Sequence, residues 1–362
     1  MPLAGGIRYS DHLVEVIGRA EAAVGRLQTV PAAERAAAAG PARRAAARLS
    51  ARLDASPLTD ETADAVDAGH GPVRVGGQPN AAAAAGATSG SWARTLRLEG
   101  VPSQDLAAVE YANLLAAAEA EPSLAVDLFV QPLATLTSLH RQLTAGLVTP
   151  GVAGRPRQTA QSVHDGAQGA SLYHAPDPHA VPGLLDRLAS WLERGAATRP
   201  TVVVAGVVHG RLLEWQPFEA ANGRLARAAA RLVLRARGLD PEGVIVFERE
   251  LAADAAGYYA EVGATIRRGG DLSRWLERWA EAVSAAAETA ADKLAPAPLV
   301  EPPTRARRVA ESVPAGGELT LSGYARDAEV GLETARADLR ALERAGLTRL
   351  VAGTQGLRWQ RR

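Results

Sequence analysis

The residues best suited to chemistry lie in the stretch EWQPFEAANGRLAR, at positions 214–227. This stretch follows an apolar helical run and leads into a second helical run, so it predicts a loop that enters a helix. Backbone N–H groups at the start of a helix carry partial positive charge and bind phosphate. Arg224 and Arg227 stand about one helical turn apart and therefore share a side of the helix. With Asn222 and Gly223, they predict a site that binds an anion such as a phosphate group.

The same stretch resembles the signature of the Fic family. That signature reads His-Pro-Phe, a variable residue, an acidic residue, Gly-Asn-Gly-Arg, two variable residues and Arg. The residues that match at the family's spacing are Pro217, Phe218, Asn222, Gly223, Arg224 and Arg227. The resemblance extends over roughly residues 92–290, through GRPRQTAQSVHDG, the pair Tyr258-Tyr259 and DLSRWLERWAEAV. It implies a mainly α Fic-type helical bundle with a small β-hairpin flap, and transfer of AMP from ATP to a protein hydroxyl.

Two positions depart from the family's pattern. Where the family has the histidine that takes the proton from the target hydroxyl, this chain has Gln216, which has no usable basicity near neutral pH. Where the family has the acidic residue that holds magnesium, it has Ala220. A general base alone contributes about 10² to 10⁴ in rate. The sequence therefore predicts a weak or inactive transferase that retains ATP binding and lacks the usual magnesium ligand.

Two other functions stay open on the residues alone. Glu214 and Glu219 flank the departures and could replace the missing groups, which would give an active transferase with a rearranged site. Their alternative role is that of solvated carboxylates near a helix N-terminus, where negative charge is favoured. A third reading makes the chain a DNA-binding regulator in which the Fic unit is a scaffold.

A second resemblance concerns regulation. Residues 95–100, TLRLEG, are similar to the family's inhibitory motif, which has serine or threonine, three residues, glutamate, and then glycine or asparagine. The matching residues are Thr95, Glu99 and Gly100. In the family the glutamate pairs with the second arginine of the signature and occupies the place of the γ-phosphate. The resemblance implies a pair between Glu99 and Arg227; otherwise Glu99 is an exposed helix end.

Composition limits the remaining functions. The chain has 362 residues, 47% of them hydrophobic, and much of that fraction is alanine, which favours helix. Its 40 basic and 40 acidic residues balance, so the whole molecule does not demand nucleic acid or a membrane as partner. It has no cysteine, and its seven histidines show no metal-ligand spacing, so no metal site is predicted. Without a long apolar segment, a cytoplasmic protein with no membrane partner is expected.

Four segments are predicted along the chain. Residues 1–91 form a helical hairpin followed, from Ser56, by a flexible loop. Residues 92–293 form the Fic-like domain with its inhibitory helix and a hairpin turning at Gly166–Gly169. A proline-rich linker, 294–303, separates this domain from residues 304–362.

The last segment predicts a winged helix-turn-helix, because helices and a short strand precede a long helix and a terminal hairpin. Residues 304–362 carry eleven arginines and seven acidic residues. Arg336 and Arg340, on the long helix, are the candidates for DNA contact, and a homodimer would be needed for useful affinity. Glu333, Asp338 and Glu343 on the same helix argue against DNA, and a protein-docking role is the alternative.

Overall fold

The computed structural model of the chain describes residues 7–70, 103–148, 150–164, 171–295, 301–353 and 356–362. The chain divides into two compact units, residues 1–294 and 295–362. The first unit is helical with one small antiparallel hairpin, which confirms the predicted fold class. The division predicted from sequence placed residues 1–91 apart, whereas here the N-terminal helices belong to the first unit.

The first unit contains eleven described helices and two strands. The helices are α1 (Asp11–Gln28), α2 (Ala32–Leu53), α3 (Asp60–Asp67), α4 (Ser103–Asp127), α5 (Pro132–Leu143), α6 (Val181–Arg194), α7 (Thr201–Trp215), α8 (Asn222–Ala236), α9 (Glu248–Ala253), α10 (Ala255–Arg267) and α11 (Ser273–Leu294). The strands are β1 (Ser162–His164) and β2 (Ser171–His174), and a 3₁₀ turn, Pro178–Ala180, follows them.

Helix α7 is the centre of the first unit. Its residues from Val202 to Trp215 are all buried, so it needs neighbours on every side, and α8, α10 and α11 pack around it. Two glycines let α11 approach closely. A Cβ at Gly206 would lie 2.4 Å from Cδ1 of Trp279, and one at Gly210 would lie 2.5 Å from Nε1 of Trp275. These close contacts fix the axis of α7 and therefore where its C-terminal loop begins.

The N-terminal helices complete this core. Helix α1 packs along α11, and α2 packs against α4 and α9. Residues from 56 onward were predicted to be an unstructured loop, and the structure corrects this by placing α3 there. Thr59 caps α3 by accepting a hydrogen bond from the N–H of Thr62, and Ala63 is buried. Arg48 bonds Asp64 and Asp67 at 2.6 Å each, and these ion pairs are invisible to a local reading of the sequence.

The hairpin pairs β1 with β2 in antiparallel register, with Val163 opposite Tyr173. Both side chains are buried, and the hydroxyl of Tyr173 donates to the carbonyl of Leu213 at 2.8 Å. This contact holds the hairpin against the C-terminal end of α7. The predicted turn at Gly166–Gly169 lies outside the described residues.

The second unit contains α12 (Thr304–Ser312), β3 (Glu318–Thr320), α13 (Leu321–Asp327), α14 (Leu332–Arg344), β4 (Thr348–Gly353) and β5 (Gly356–Arg361). Its strands form an antiparallel sheet in the order β3-β5-β4. Tyr324, Leu339 and Trp359 lie in a separate small core. The order of elements agrees with the predicted one, and the winged-helix assignment stays a prediction. In neither unit does a described helix have the length and apolar character needed to cross a membrane.

Candidate functional site

The loop between α7 and α8, residues 216–221, has an unusual backbone at both ends. Gln216 has φ 45° and Ala221 has φ 60°, both in the left-handed region that disfavours residues with a Cβ. Ala221 is also the N-cap of α8 and offers that helix no side-chain hydrogen bond. Because each such residue costs about 1 kcal/mol or more, other contacts must hold the loop in place.

Asn222 supplies the first of these contacts. Its Oδ1 accepts from the N–H of Phe218 at 2.9 Å, and its Nδ2 donates to the carbonyl of Phe218 at 2.7 Å. Gln161, which directly precedes β1, donates from Nε2 to the carbonyls of Phe218 and Glu219. The amide of Asn222, predicted to bind nucleotide, therefore closes the loop on itself.

Arg157 anchors the loop from the segment before the hairpin. Its Nε donates to the carbonyl of Gln216 at 2.7 Å, and its own backbone N–H donates to the carbonyl of Pro217 at 2.9 Å. Its Nη2 lies 3.3 Å from the carbonyl of Trp215. A buried guanidinium thus binds the carbonyls at the end of α7, where a cation is favoured. The segment around Arg157 resembles a Fic segment, but its sequence alone does not indicate this role.

Gln216 occupies the position of the predicted base. Its side chain is buried and turns back onto α7, where Nε2 donates to the carbonyl of Leu213 at 2.7 Å and to the hydroxyl of Tyr173 at 3.3 Å. An amide cannot accept a proton at neutral pH, and both of these contacts use its donor group. The position therefore offers no proton acceptor to an incoming hydroxyl.

Ala220, which stands where the family has its acidic residue, is held by a histidine that the sequence analysis missed. His140 donates from Nε2 to the carbonyl of Ala220 at 3.0 Å and accepts the N–H of Gly154 at Nδ1. Its ring stacks on Phe218 with centroids 4.1 Å apart. Burial lowers the pKa of His140 to about 4, so the ring is neutral at neutral pH and can both donate and accept. No local sequence signal marks a contact between residues 80 positions apart.

The two motif arginines converge on one carboxylate, that of Asp54 just after α2. Nη2 of Arg227 donates to Asp54 Oδ1 at 2.8 Å, and Nε of Arg224 lies 3.4 Å from Asp54 Oδ2. Arg227 also donates to the hydroxyl and the carbonyl of Ser50, each at 2.8 Å. Arg224 forms an ion pair with the fully buried Glu110 of α4. Both arginines are almost completely buried, at 3% and 1% exposure.

Gly223 allows this carboxylate to reach the start of α8. A Cβ at Gly223 would lie 2.5 Å from Asp54 Oδ1, so the carboxylate rests on the first turn of the helix. There the free N–H groups favour an anion. The hydroxyl of Tyr259 donates to the same oxygen at 3.1 Å. Burial is the largest single effect on the pKa of Arg227 and lowers it, but the charge and hydrogen bond of Asp54 together with Tyr258 and Tyr259 raise it by more in sum, so the net pKa lies above its ordinary value.

Little space is left beside this cluster. The cavity that borders Ser50, Arg224 and Arg227 has a volume of about 30 Å³, comparable to a single water molecule. Asp54 lies on the guanidinium groups of both arginines at the same time.

The predicted pair between Glu99 and Arg227 stays a prediction. The carboxylate on Arg227 belongs to Asp54, whereas Thr95, Glu99 and Gly100 lie outside the described residues. The sequence contains a signal for the contact between Asp54 and Arg227. Ser50 and Asp54 are four positions apart, as are Thr95 and Glu99 in the segment that resembles the inhibitory motif. The residue after Asp54, Ala55, has φ 56° at the place of the motif's glycine or asparagine. Aspartate for glutamate and alanine for glycine concealed the similarity.

The neighbouring carboxylates have structural partners. Glu219 accepts from the N–H of Gln158 at 2.7 Å and from the hydroxyl of Thr159 at 2.6 Å, which ties the loop to the segment before β1. Glu214 is buried and forms an ion pair with Arg211. Both carboxylates therefore have partners in this arrangement, and their replacement of the base or the metal ligand stays a prediction. Within the described ranges, no three histidine or acidic side chains cluster as a metal-binding group.

Helix α14 of the second unit presents the DNA-contact candidates. Arg336 and Arg340 are exposed, and Arg336 lies 3.5 Å from Glu333. Asp338 is buried, where it accepts hydrogen bonds from Arg305 and from the hydroxyl of Tyr324. Glu343 accepts from the indole of Trp359 at 3.3 Å. All three acidic residues that argued against DNA are therefore engaged in contacts within the unit, and the partner of Glu333 is Arg336 itself.

Comparison with known proteins agrees with this geometry. Residues 131–234 match the model of the Fic/DOC family, and this region runs from just before α5 nearly to the end of α8, including the 216–221 loop. Residues 131–234 therefore correspond to a Fic/DOC domain. No curated protein matches the sequence.

Solved structures share the fold. A Fic family protein from Desulfovibrio desulfuricans G20 is 19% identical with a TM-score of 0.60, over 100% of this chain and 98% of that one. A Fic domain containing signaling protein from Bacteroides thetaiotaomicron VPI-5482 is 18% identical with a TM-score of 0.54, over 76% of this chain and 96% of that one. At these identities the likeness establishes the fold.

Proposed function

We propose that this protein is a nucleotide-binding regulator whose Fic domain is held in an inhibited state, with weak or absent transfer of AMP to protein hydroxyls. The observation that carries the proposal is the convergence of Arg224 and Arg227 on the carboxylate of Asp54. ATP is the nucleotide for which the site is proposed.

Competition for the same donors is the physical basis of the inhibition. A carboxylate and a phosphate oxygen both accept hydrogen bonds from guanidinium groups and from the free N–H groups of a helix N-terminus. Asp54 accepts a hydrogen bond from Arg227 and lies close to the first turn of α8 at Gly223, so it takes up the space that a phosphate would need beside both kinds of donor. Nucleotide binding therefore requires the Asp54 carboxylate to move away from the arginines. The position of the C-terminal end of α2 then depends on whether a nucleotide is bound.

The missing chemical groups account for the low activity proposed. Gln216 offers no proton acceptor, and the short apolar side chain of Ala220 cannot bind magnesium. A metal contributes several kcal/mol of charge stabilisation to phosphoryl chemistry. Without a base and a metal ligand, the domain would bind ATP but transfer AMP from it slowly or not at all.

Isothermal titration of ATP, with and without magnesium, tests this function. We expect Asp54→Asn to bind ATP about tenfold or more tighter than the unchanged protein, because the amide no longer competes as an anion. Asp60→Asn is the matched control, since Asp60 has an exposed side chain whose ion pairs are with Arg48 and Arg52. Its affinity should equal that of the unchanged chain.

Two results would contradict the proposal. One is the absence of ATP binding in a folded Asp54→Asn variant, even after Glu99→Gly is added to remove the other predicted inhibitor. The other is incorporation of labelled nucleotide into protein by the unchanged chain, lost in Glu214→Ala or Glu219→Ala. That outcome would favour an active transferase. Should Asp54→Asn fail to fold, Ser50→Ala loosens the same arm by removing one hydrogen bond to Arg227.

DNA contact through the second unit is a second candidate function. The supporting observation is that Asp338 is buried with Arg305 and Tyr324, which leaves the exposed face of α14 with Arg336 and Arg340 against Glu333. A helix with this charge, followed by a β-hairpin, suits a winged helix-turn-helix that contacts DNA phosphates. A homodimer would double the number of contacts.

Fluorescence anisotropy of the full chain with labelled duplex DNA tests the second candidate. Binding should weaken with salt, and each of Arg336→Gln and Arg340→Gln should reduce the slope of log K against log salt concentration by about 1. Arg326→Gln, a change at an exposed arginine on α13, is the comparison. Binding that is absent at low salt, or unaffected by both changes on α14, would argue for a protein-docking role.

A further inference from the structure

A groove with a volume of about 380 Å³ lies between α2 and α11, away from the Fic loop. Small apolar side chains form it: Ala42 and Ala45 on the α2 side, Ala286 and Ala290 on the α11 side, and Val246 from the segment before α9. None of its lining residues borders the cavity beside Arg224 and Arg227. The groove is therefore a separate feature of the first unit.

The size of the groove follows from these side chains. Alanine at several successive facing positions leaves space that leucine or phenylalanine would fill. Volumes of about 300 to 1,000 Å³ with mainly apolar linings are typical of small-molecule sites. This groove falls within that range.

The polar side chains that line the groove are mostly cationic. They are Arg249, Thr289 and Lys293. Arg249 and Lys293 are exposed, and neither forms an ion pair with any residue in the described ranges. Lys293 is also the single lysine of the chain. An apolar groove with two cations and no carboxylate in its lining is complementary to a molecule with an apolar body and one negative end.

We propose that this groove binds a small amphipathic anion, namely an alkyl chain that ends in a carboxylate. The chain lies among the alanine and valine side chains, where it loses contact with water. The carboxylate binds the cationic side chains of the lining, Arg249 and Lys293, whose guanidinium and ammonium groups can donate hydrogen bonds to it. The Thr289 hydroxyl can donate a further one.

Isothermal titration with octanoate tests the site on the full chain, with octylamine, octanol and acetate as comparison probes. Octanoate should bind saturably, whereas octylamine has the wrong charge and acetate lacks the chain. Octanol should bind more weakly than octanoate. Arg249→Gln and Lys293→Gln should each weaken octanoate binding by about two- to fivefold, as expected for single exposed charges. Ala42→Phe fills the groove and should weaken binding by at least about tenfold.

Arg187→Gln is the matched control, because Arg187 is an exposed arginine on α6 that does not line the groove. Its affinity for octanoate should be unchanged. The proposal is overturned if octanoate shows no saturable binding, if octylamine or octanol binds as tightly, or if both charge variants bind like the control. The charge variants decide the question even if Ala42→Phe does not fold. None of these results depends on whether ATP binds.

Discussion

Gln216→His combined with Ala220→Asp, in a chain that also carries Asp54→Asn, is expected to raise transfer of AMP from ATP to protein by about 10² or more. The histidine supplies a proton acceptor where an amide now turns back onto Leu213. The aspartate supplies the oxygen ligand for magnesium that an alanine cannot. Incorporation of labelled ATP into protein substrates, with magnesium present, measures the gain.

The single changes separate the two missing groups. Gln216→His alone should raise incorporation only about threefold or less, because the phosphates remain without their cation. Full activity from this single change would show that the account of the metal ligand is wrong. Thr62→Ser in the same Asp54→Asn background is a suitable control, since Thr62 lies on α3 outside the loop.

Arg227→Met is expected to lower the free energy of unfolding by about 3–5 kcal/mol. The change removes the strongest partner of the Asp54 carboxylate and leaves that charge in a mostly buried position, with Arg224 3.4 Å away and the Tyr259 hydroxyl as remaining contacts. The hydroxyl and carbonyl of Ser50 lose their donor as well. Urea unfolding followed by circular dichroism measures the effect.

Two further variants are compared with Arg227→Met in the same unfolding measurement. Arg194→Met changes an arginine whose side chain is 72% exposed, and it should cost less than about 0.5 kcal/mol. The double change Arg227→Met with Asp54→Asn should cost less than the sum of the single changes, by about 0.5–3 kcal/mol, because the two groups interact directly. A loss for Arg227→Met no larger than that of the exposed control would show that the Asp54 contact adds nothing to stability.

Local patterns account for most of the helices. Gly331 and Gly346 bracket the long helix that was predicted near the end of the chain, and the structure places α14 between them, with a positive φ at Gly346. The Fic-like spacing of Asn222, Gly223 and Arg224 located the start of α8 for the same reason, since a helix terminus is set by residues near in sequence. The prediction failed for α3, because its stability depends on Arg48 from another helix.

The candidate site, like the helices, has features that the sequence predicts and features that only the packing of the helices determines. The residues predicted to bind phosphate lie together at the start of α8, as their spacing within a single turn predicted. The partners of those residues could not be located from sequence. Asp54 lies 173 positions before Arg227, and His140 lies 80 positions before Ala220. Contacts at such separations arise only when the helices pack, and many carboxylates in the chain could equally have been the partner.

The sequence by itself determined the helical class, the Fic-type loop, and the absence of a histidine at 216 and of an acidic residue at 220, since these follow from residue identity and short spacing. Tertiary structure alone decided that Asp54 meets both arginines and that His140 holds the loop. It also decided that Asp338 faces inward on α14. The physical reason is that burial and ion pairing depend on which surfaces meet in space, and the order of residues along one chain does not state this.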